Sequence, residues 1–391
     1  MDAAAYHLSS GRAARPARNV WRITLMRSMR LASPLFAALI VAGACGPAAA
    51  PAPAASAAAP AAPAASAAAS TAAAGTLPKP DKVDVKIGLS GTATIGILGQ
   101  LVARGLNLFE KYGLKVEFVT FSGAAQAAQA LQAGQVDVGD NSGGPVVASL
   151  ATSSPTQMVF VTRHNLTDNM YGRKDVKTAA DLKGKNLAIS SFGSQSHAGA
   201  LLSLKALGLT EKDVTITPVG NDVARLAALK AGSVAASMQD SAIANELTPL
   251  GFNVMVELTK VKDLGGVPRT SLVVTPEFQA KYPNTTLLLV AAYLEGVTEM
   301  RKQTDKAAEF LAKDAQIPLA TAKAQVAIEM AAPWEPRDGR CDNKVFEFTK
   351  QVNLPSNPAI ANVDPTKACT NLYLDKLAAL GFQKKIGVPG Y

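Results

Sequence analysis

The sequence predicts an α/β protein of two lobes, each a mostly parallel sheet flanked by helices, joined by two crossover segments. Three observations carry that prediction. First, the stretches Val85–Leu150 and Asp181–Asn245 both read as strand, polar turn, helix, strand, helix, strand. Ile87-Gly88-Leu89-Ser90-Gly91 answers Leu187-Ala188-Ile189-Ser190-Ser191, Tyr112-Gly113-Leu114 answers Leu207-Gly208-Leu209, and Leu131-Gln132-Ala133-Gly134 answers Leu229-Lys230-Ala231-Gly232. Second, the copies lie roughly 100 residues apart, too far for a solenoid but suited to two βαβαβ halves. Third, the 391 residues are 48% hydrophobic and 18% charged, enough apolar chain for more than one core. A ligand then lies between the lobes, at the carboxyl ends of the strands.

The chain opens on a region set apart by composition. Residues up to Cys45 carry six arginines (Arg12, Arg15, Arg18, Arg22, Arg27 and Arg30) against one acid, Asp2, so much of the +9 formal charge lies there. The remainder has few aromatics and no basic run, which argues against nucleic acid as a partner. Met26 to Cys45 has a basic start, an apolar run of about a dozen residues and a small-residue exit, the layout of an export signal. That run is shorter than the about 20 residues a spanning helix needs. Met1 to Leu25 precede usable starts at Met26 or Met29 and read as an extension outside the signal. Val41-Ala42-Gly43-Ala44-Cys45 resembles a bacterial lipobox, which implies lipid on Cys45 and a membrane anchor; the alternative is a plainly secreted protein cleaved nearby. Residues 46–80 follow as a tether, almost wholly Ala, Pro and Ser up to Gly75. In the oxidising compartment that export implies, Cys341 and Cys369 remain as an even pair, either a disulfide or two buried thiols.

In the folded part, lobe I is expected over 81–163 and 268–391, and lobe II over 164–267. Each strand end in the first copy carries polar or glycine residues: Gly91, Thr92 and Thr94 after the first strand, Gly123 after the second, and Asp140, Asn141 and Ser142 after a third strand ending at Gly139. The apolar run Gln157–Thr162 leads into Arg163, His164 and Asn165, one passage between lobes, with Arg163 either pairing with an acidic ligand or solvated. Ser271–Thr275 is the return. In the second copy the turn Ser191, Phe192, Ser194, Gln195, Ser196 and His197 opens a helix, where unpaired N–H groups and hydroxyls can hold a polar ligand, or where a serine simply caps. Asn221, Asp222, Gln239 and Asp240 close the candidate set. Beyond Pro276 the chain is helical, with Leu287, Val290, Leu294 and Val297 on one face, a further helix over about 318–330, and a loop-rich end with a helix near 372–380.

LFEKYGLKVEF, the FSG to LQAGQVDVG run, DLKGKNLAISSFGSQSH, LAALKAGSV and TPEFQAKYP to AYLEG occur in an order that resembles bacterial ABC-transporter substrate-binding proteins of the nitrate, sulfonate, taurine and thiamine-precursor (NMT1/THI5-like) type. The resemblance covers nearly all of the chain beyond Asp81. It implies a type II periplasmic-binding, Venus-flytrap fold that closes on a small solute and delivers it to a permease and its ATPase, outside the cytoplasm and as a monomer. Asn107 stands where that family usually has Gly, a place for a left-handed residue that Asn tolerates. Ala235 and Gln239-Asp240-Ser241 also depart from its pattern.

Binding without chemistry is the expected mode. Thr92, Thr94, Ser191, Ser194 and Ser196 would hold the polar head of the solute, with Asn141, Asn165 and Asp240 orienting it. A small organic anion such as a sulfonate or taurine suits helix N-termini, whereas Asp140, Asp222 and Asp240 would suit a ligand with N–H donors, such as a pyrimidine or an amino-sulfonate. The competing classes are an enzyme of the same fold acting in thiamine-pyrimidine biosynthesis, and a tethered ligand sensor. No GxSxG, GxGxxG or GxxxxGK[ST] motif occurs and three scattered histidines do not form a zinc site, so no cofactor or metal is expected.

Overall fold

The computed structural model describes residues 75–91, 95–261, 266–269, 271–331 and 338–391. Thr92, Thr94, Cys45, the export signal and most of the tether lie outside the described residues.

Among the described residues, ten strands form two five-stranded sheets of matching topology. The first contains β1 (Asp84–Leu89), β2 (Lys115–Thr120), β3 (Val138–Asn141), β4 (Gln157–Val161) and β10 (Ser271–Val274), in the order β2-β1-β3-β10-β4. The second contains β5 (Asp168–Gly172), β6 (Asn186–Ile189), β7 (Thr215–Pro218), β8 (Ala236–Asp240) and β9 (Asn253–Glu257), in the order β7-β6-β8-β5-β9. In each sheet the three strands of the repeated unit run parallel, and one strand arriving from the other lobe inserts antiparallel, β10 beside β3 and β5 beside β8. The sequence repeat is thus a structural repeat. Its helix stops are shared as well: Gly134 and Gly232 take left-handed conformations, φ +68° and +76°, at equivalent positions. Asn107 is left-handed too, φ 52°.

Packing of the first lobe centres on the helix Pro283–Lys302, which is buried along most of its length rather than on one stripe. It crosses the helix Leu98–Gly105 where Gly99 meets Gly296; a Cβ on Gly296 would overlap the Gly99 carbonyl oxygen. Phe109, Phe118, Phe160 and Tyr293 meet edge to face in the same core, with centroids 5.8 to 6.0 Å apart. Leu77 packs partly against this core, so the folded part begins within the last residues of the expected tether. The second lobe has its own core around Met170, Leu187, Ile189, Leu204 and Met238. β5, which the sequence does not mark, opens the second lobe, and within the end expected to be loop-rich Asn343–Asn353 is a helix. That helix sends Phe346 into a first-lobe cluster and lays Phe348 and Val352 on the second-lobe core. Among the described residues, no helix is long and apolar enough to cross a membrane.

Cys341 and Cys369 form a disulfide, Cα to Cα 6.2 Å, closing a loop of 28 residues in sequence. It fastens the start of Asn343–Asn353 to the edge of β4, where Thr370 N–H donates to the Met158 carbonyl at 3.0 Å. Cys341→Ser with Cys369→Ser should cost about 3.5 kcal/mol, by loop entropy, in urea unfolding compared with the oxidised wild-type protein.

Candidate functional site

The segments that follow β1 and β2 in one lobe and β6 and β7 in the other approach one another across the cleft, and the glycines there let the backbones meet. Gly123 lies against the Ser190 carbonyl, Gly220 against the Ser122 carbonyl, and Gly91 against Asn221. Between these contacts lies a small polar cavity of about 90 Å³. Lobe I supplies Ser90, Gly91, Gly96, Ile97, Ala124 and Ser142; lobe II supplies Asp168, Ser190, Ser194, Gln195, Ser196, Asn221, Asp222 and Arg225; Arg269 enters from the return crossover.

The serine turn after β6 serves both of its expected roles. Ser194 caps the helix Gln195–Ala206, its Oγ accepting from His197 N–H at 3.2 Å. Its hydroxyl also belongs to a ring: Ser190 Oγ donates to Ser194 Oγ at 2.8 Å, Ser196 Oγ donates to Ser190 Oγ at 2.9 Å, and Ser194 and Ser196 stand 3.0 Å apart. Three hydroxyls at the start of a helix dipole thereby face the cavity.

The charged groups are held by one another. Arg225 is buried, donates to the Met238 carbonyl at 2.8 Å and the Gly220 carbonyl at 2.7 Å, and pairs with Asp222. Arg269 donates to Thr167 Oγ1 at 2.7 Å and pairs with Asp240. Arg163, which also donates to Thr167 Oγ1 at 2.7 Å, pairs with Glu329 at 2.8 Å and lies 4.0 Å from Asp240. Arg269 N–H donates to the Arg163 carbonyl at 3.0 Å, so the two crossovers are stitched together beneath the cavity. Burial pushes the Glu329 carboxyl above its ordinary range, against the pull of Arg163.

Asp168 is set differently. Its Oδ2 accepts from Gln195 Nε2 at 2.5 Å, and burial, then the neighbouring Asp222, raise it to about 6; Gln195 and the charges of Arg225 and Arg163 pull the other way. In the unfolded chain this carboxyl sits near its ordinary 3.8. The folded state therefore holds the proton more tightly, so ionised Asp168 opposes folding above about pH 6, and the penalty fades as pH falls from 6 toward 4. That difference corresponds to about 3 kcal/mol. Asp168→Asn should accordingly stabilise the unliganded protein by about 2–3 kcal/mol at pH 7.5 and much less at pH 4.5, read by denaturant unfolding at both values.

A second compartment of about 650 Å³ adjoins the first through Asn221 and Asp222. Val223, Leu226, Ile243, Leu311 and Ile317 make much of its wall, with Gln239 and Asp240 beside them.

Of the residues predicted from sequence, Gly91, Ser142, Ser194, Gln195, Ser196, Asn221 and Asp222 line the small cavity, and Gln239 and Asp240 line the larger one. Gly123 serves the contact between lobes. Others sit elsewhere for physical reasons. β3 continues through Asn141, so Asp140 is buried in the sheet, its carboxyl pushed well up by burial. The Asn141 amide is spent locally, donating to the Ala124 carbonyl at 3.0 Å and accepting from Ser142 N–H at 2.9 Å. Arg163 is neither solvated nor in the cavity, because Glu329 and Asp240 hold it in the interior. His164 is buried beside Arg340 and Asp342, and Asn165 lines neither compartment. Ser191 Oγ is buried away from the cavity, and Phe192 is exposed with its ring edge on His197, 5.3 Å between centroids. His197 turns inward, its Nδ1 accepting from Gly193 N–H at 3.0 Å, and burial lowers it to about 4. Sequence reasoning missed Ser90, Asp168, Ser190, Arg225 and Arg269. Ser190 belonged to the quoted turn, and Arg225 could have been found as the i+3 partner of Asp222 at a helix start.

The NMT1/THI5-like family profile matches residues 94–307. No curated protein matches. Among solved structures, the chain is similar to a protein from Bordetella bronchiseptica RB50, with 24% identity over 79% of this chain and 99% of that one, TM-score 0.65. It is also similar to the alkanesulfonate-binding protein SsuA from Xanthomonas axonopodis pv. citri bound to MOPS, with 20% identity, 73% and 96% coverage and TM-score 0.60. The periplasmic nitrate-binding protein NrtA from Synechocystis PCC 6803 gives 12% identity, 80% and 92% coverage and TM-score 0.62. At these identities the likeness establishes the fold, a two-lobed periplasmic-binding fold. The profile match spans more than half of the sequence, and the chain belongs to the NMT1/THI5-like family.

Proposed function

We propose that the protein is the extracytoplasmic solute-binding component of an ABC importer. It takes a small organic anion or heteroaromatic solute, a sulfonate or taurine-like one first, into the cavity between its lobes and passes it to a permease and its ATPase. The observation that carries this reading is the polar cavity lined by strand ends of both lobes around a ring of serine hydroxyls. Solute-binding relatives of the same fold, named for alkanesulfonate and nitrate, support the class of ligand.

In this reading residues 81–163 with 268–391, and residues 164–267, move as two bodies about the stitched crossovers. Ser90, Ser142 and the serine ring hold the polar head, and Asn221 orients it. Lipid on Cys45 and the Ala/Pro tether would keep the protein at the membrane face.

Thermal shift of the purified protein against sulfonates, nitrate, pyrimidines and aromatic acids tests the proposal. A true ligand at 100 times its Kd adds about 2.7 kcal/mol of stability. Ser194→Ala with Ser196→Ala should weaken binding about tenfold by losing hydroxyl bonds to the solute, with the fold retained by circular dichroism. Unchanged affinity would remove the serine ring from the site.

A further inference from the structure

The carboxyl groups of the small cavity outnumber what its arginines neutralise. Arg225 already faces Asp222, and Arg269 already faces Asp240. Asp168 has no ion-pair partner among the described residues; its one hydrogen bond comes from the neutral amide of Gln195, and it is 5% exposed. Asp222, from a different element, lies near enough to act on it electrostatically. Two carboxyls from the start of β5 and the start of the helix Asp222–Ala231 thus meet at one wall, and only one of them has a cation.

Resting on the reading of this cleft as a solute site, we propose that Asp168, seconded by Asp222, accepts an ammonium or N–H-bearing group of the solute, so that the site selects amine-bearing solutes over bare oxyanions. A nitrate or sulfate in so small a cavity would be set against two carboxyls with both guanidiniums already engaged, and like charges at this range repel strongly in a dehydrated site. An ammonium supplies the contacting cation that Asp168 lacks, and closing over it turns a buried carboxylate held by one neutral amide into a paired one. The serine ring can meet an acidic or polar group on the same solute, since its hydroxyls both accept and donate. The adjoining compartment, with Val223, Leu226 and Ile243 on one side and Leu311 and Ile317 on the other, has room for an apolar remainder.

The test uses matched probes that differ only in an amino group: 2-aminoethanesulfonate with ethanesulfonate, 3-aminopropanesulfonate with propanesulfonate, and 4-amino-2-methylpyrimidine with 2-methylpyrimidine, beside nitrate and sulfate. Affinities of the wild-type protein are measured by thermal shift and calorimetry at pH 7.5, then repeated with Asp168→Asn, whose folding the same melting curves report. The proposal expects the amino member of at least one pair to bind about 30-fold or more tightly than its partner, as for losing one side of a buried charged pair, and Asp168→Asn to shrink that gap to within about threefold. Equal or tighter binding by the members without an amine, or by nitrate or sulfate, overturns it while leaving the solute-binding reading intact. So does a preference for the amine that survives in Asp168→Asn. If no probe binds, the solute-binding reading for these ligand classes fails, and this inference falls with it.

Discussion

Gly144→Ala leaves the protein folded and lowers its solute affinity about 100-fold. Gly144 sits in the first turn of the helix Gly143–Ser149 in lobe I, and its missing side chain faces the Gly193 carbonyl of lobe II. A Cβ there would overlap that oxygen. Gly144 is not among the left-handed glycines, so alanine suits its own helix and costs lobe I little. The clash therefore exists only when the lobes are shut. Separating them relieves it at the expense of the state that encloses the solute, and apparent affinity falls in proportion to the population of that state. A drop of about 100-fold corresponds to about 2.8 kcal/mol against closure. Titration calorimetry measures the loss, and small-angle scattering should show a wild-type contraction on adding solute that the variant lacks. Wild-type affinity in Gly144→Ala would mean that the lobes do not need this approach to bind.

Arg163→Met destabilises the protein by about 3–5 kcal/mol, and pairing it with Glu329→Leu recovers much of the loss. Arg163 is 1% exposed, and its removal leaves Glu329 in the interior without the guanidinium that balances it. The cost is that of a buried carboxyl losing its guanidinium more than of a lost attraction, so removing both charges is milder than removing one. The sign of the pH dependence follows. Without Arg163 the folded state favours protonated Glu329 more than the unfolded chain does, so the deficit of the single variant grows as pH rises and shrinks in acid. Urea unfolding of the single and double variants at pH 5 and pH 8 reads all three quantities. Equal losses in the single and double variants would show that the ion pair is not what holds the crossover.

The repeat made the fold legible. β1, β2, β6 and the helix stops at Gly134 and Gly232 announce themselves through apolar runs and glycines, which are local signals. β5 does not, because it begins Asp168-Asn169 and has no apolar alternation; it is a strand only because β8 and β9 lie ready on both sides. The helix Asn343–Asn353 was legible: Val345, Phe346, Phe348 and Val352 fall on one broad face at helical spacing, which then divides between two cores.

Site residues divide along the same line. Ser194, Gln195 and Ser196 belong to a turn whose hydroxyl density is visible locally. Whether a charge faces the cavity is settled by distant partners. Glu329, far along the chain from Arg163, draws it inward, and Thr167 and Asp240 position Arg269, which nothing in its neighbourhood marks. Asp140 was placed at a strand end because the apolar run stops at Gly139, whereas the ladder to β10 carries the strand on to Asn141 and buries the carboxyl.

Native mass spectrometry of the protein incubated with the matched probes tests the account most directly. It predicts a complex of one chain with one small molecule, the amine-bearing member of a pair, released on denaturation with its mass unchanged. Recovery of a probe with altered mass would make the protein an enzyme, and the absence of any complex would contradict the solute-binding role for these ligands.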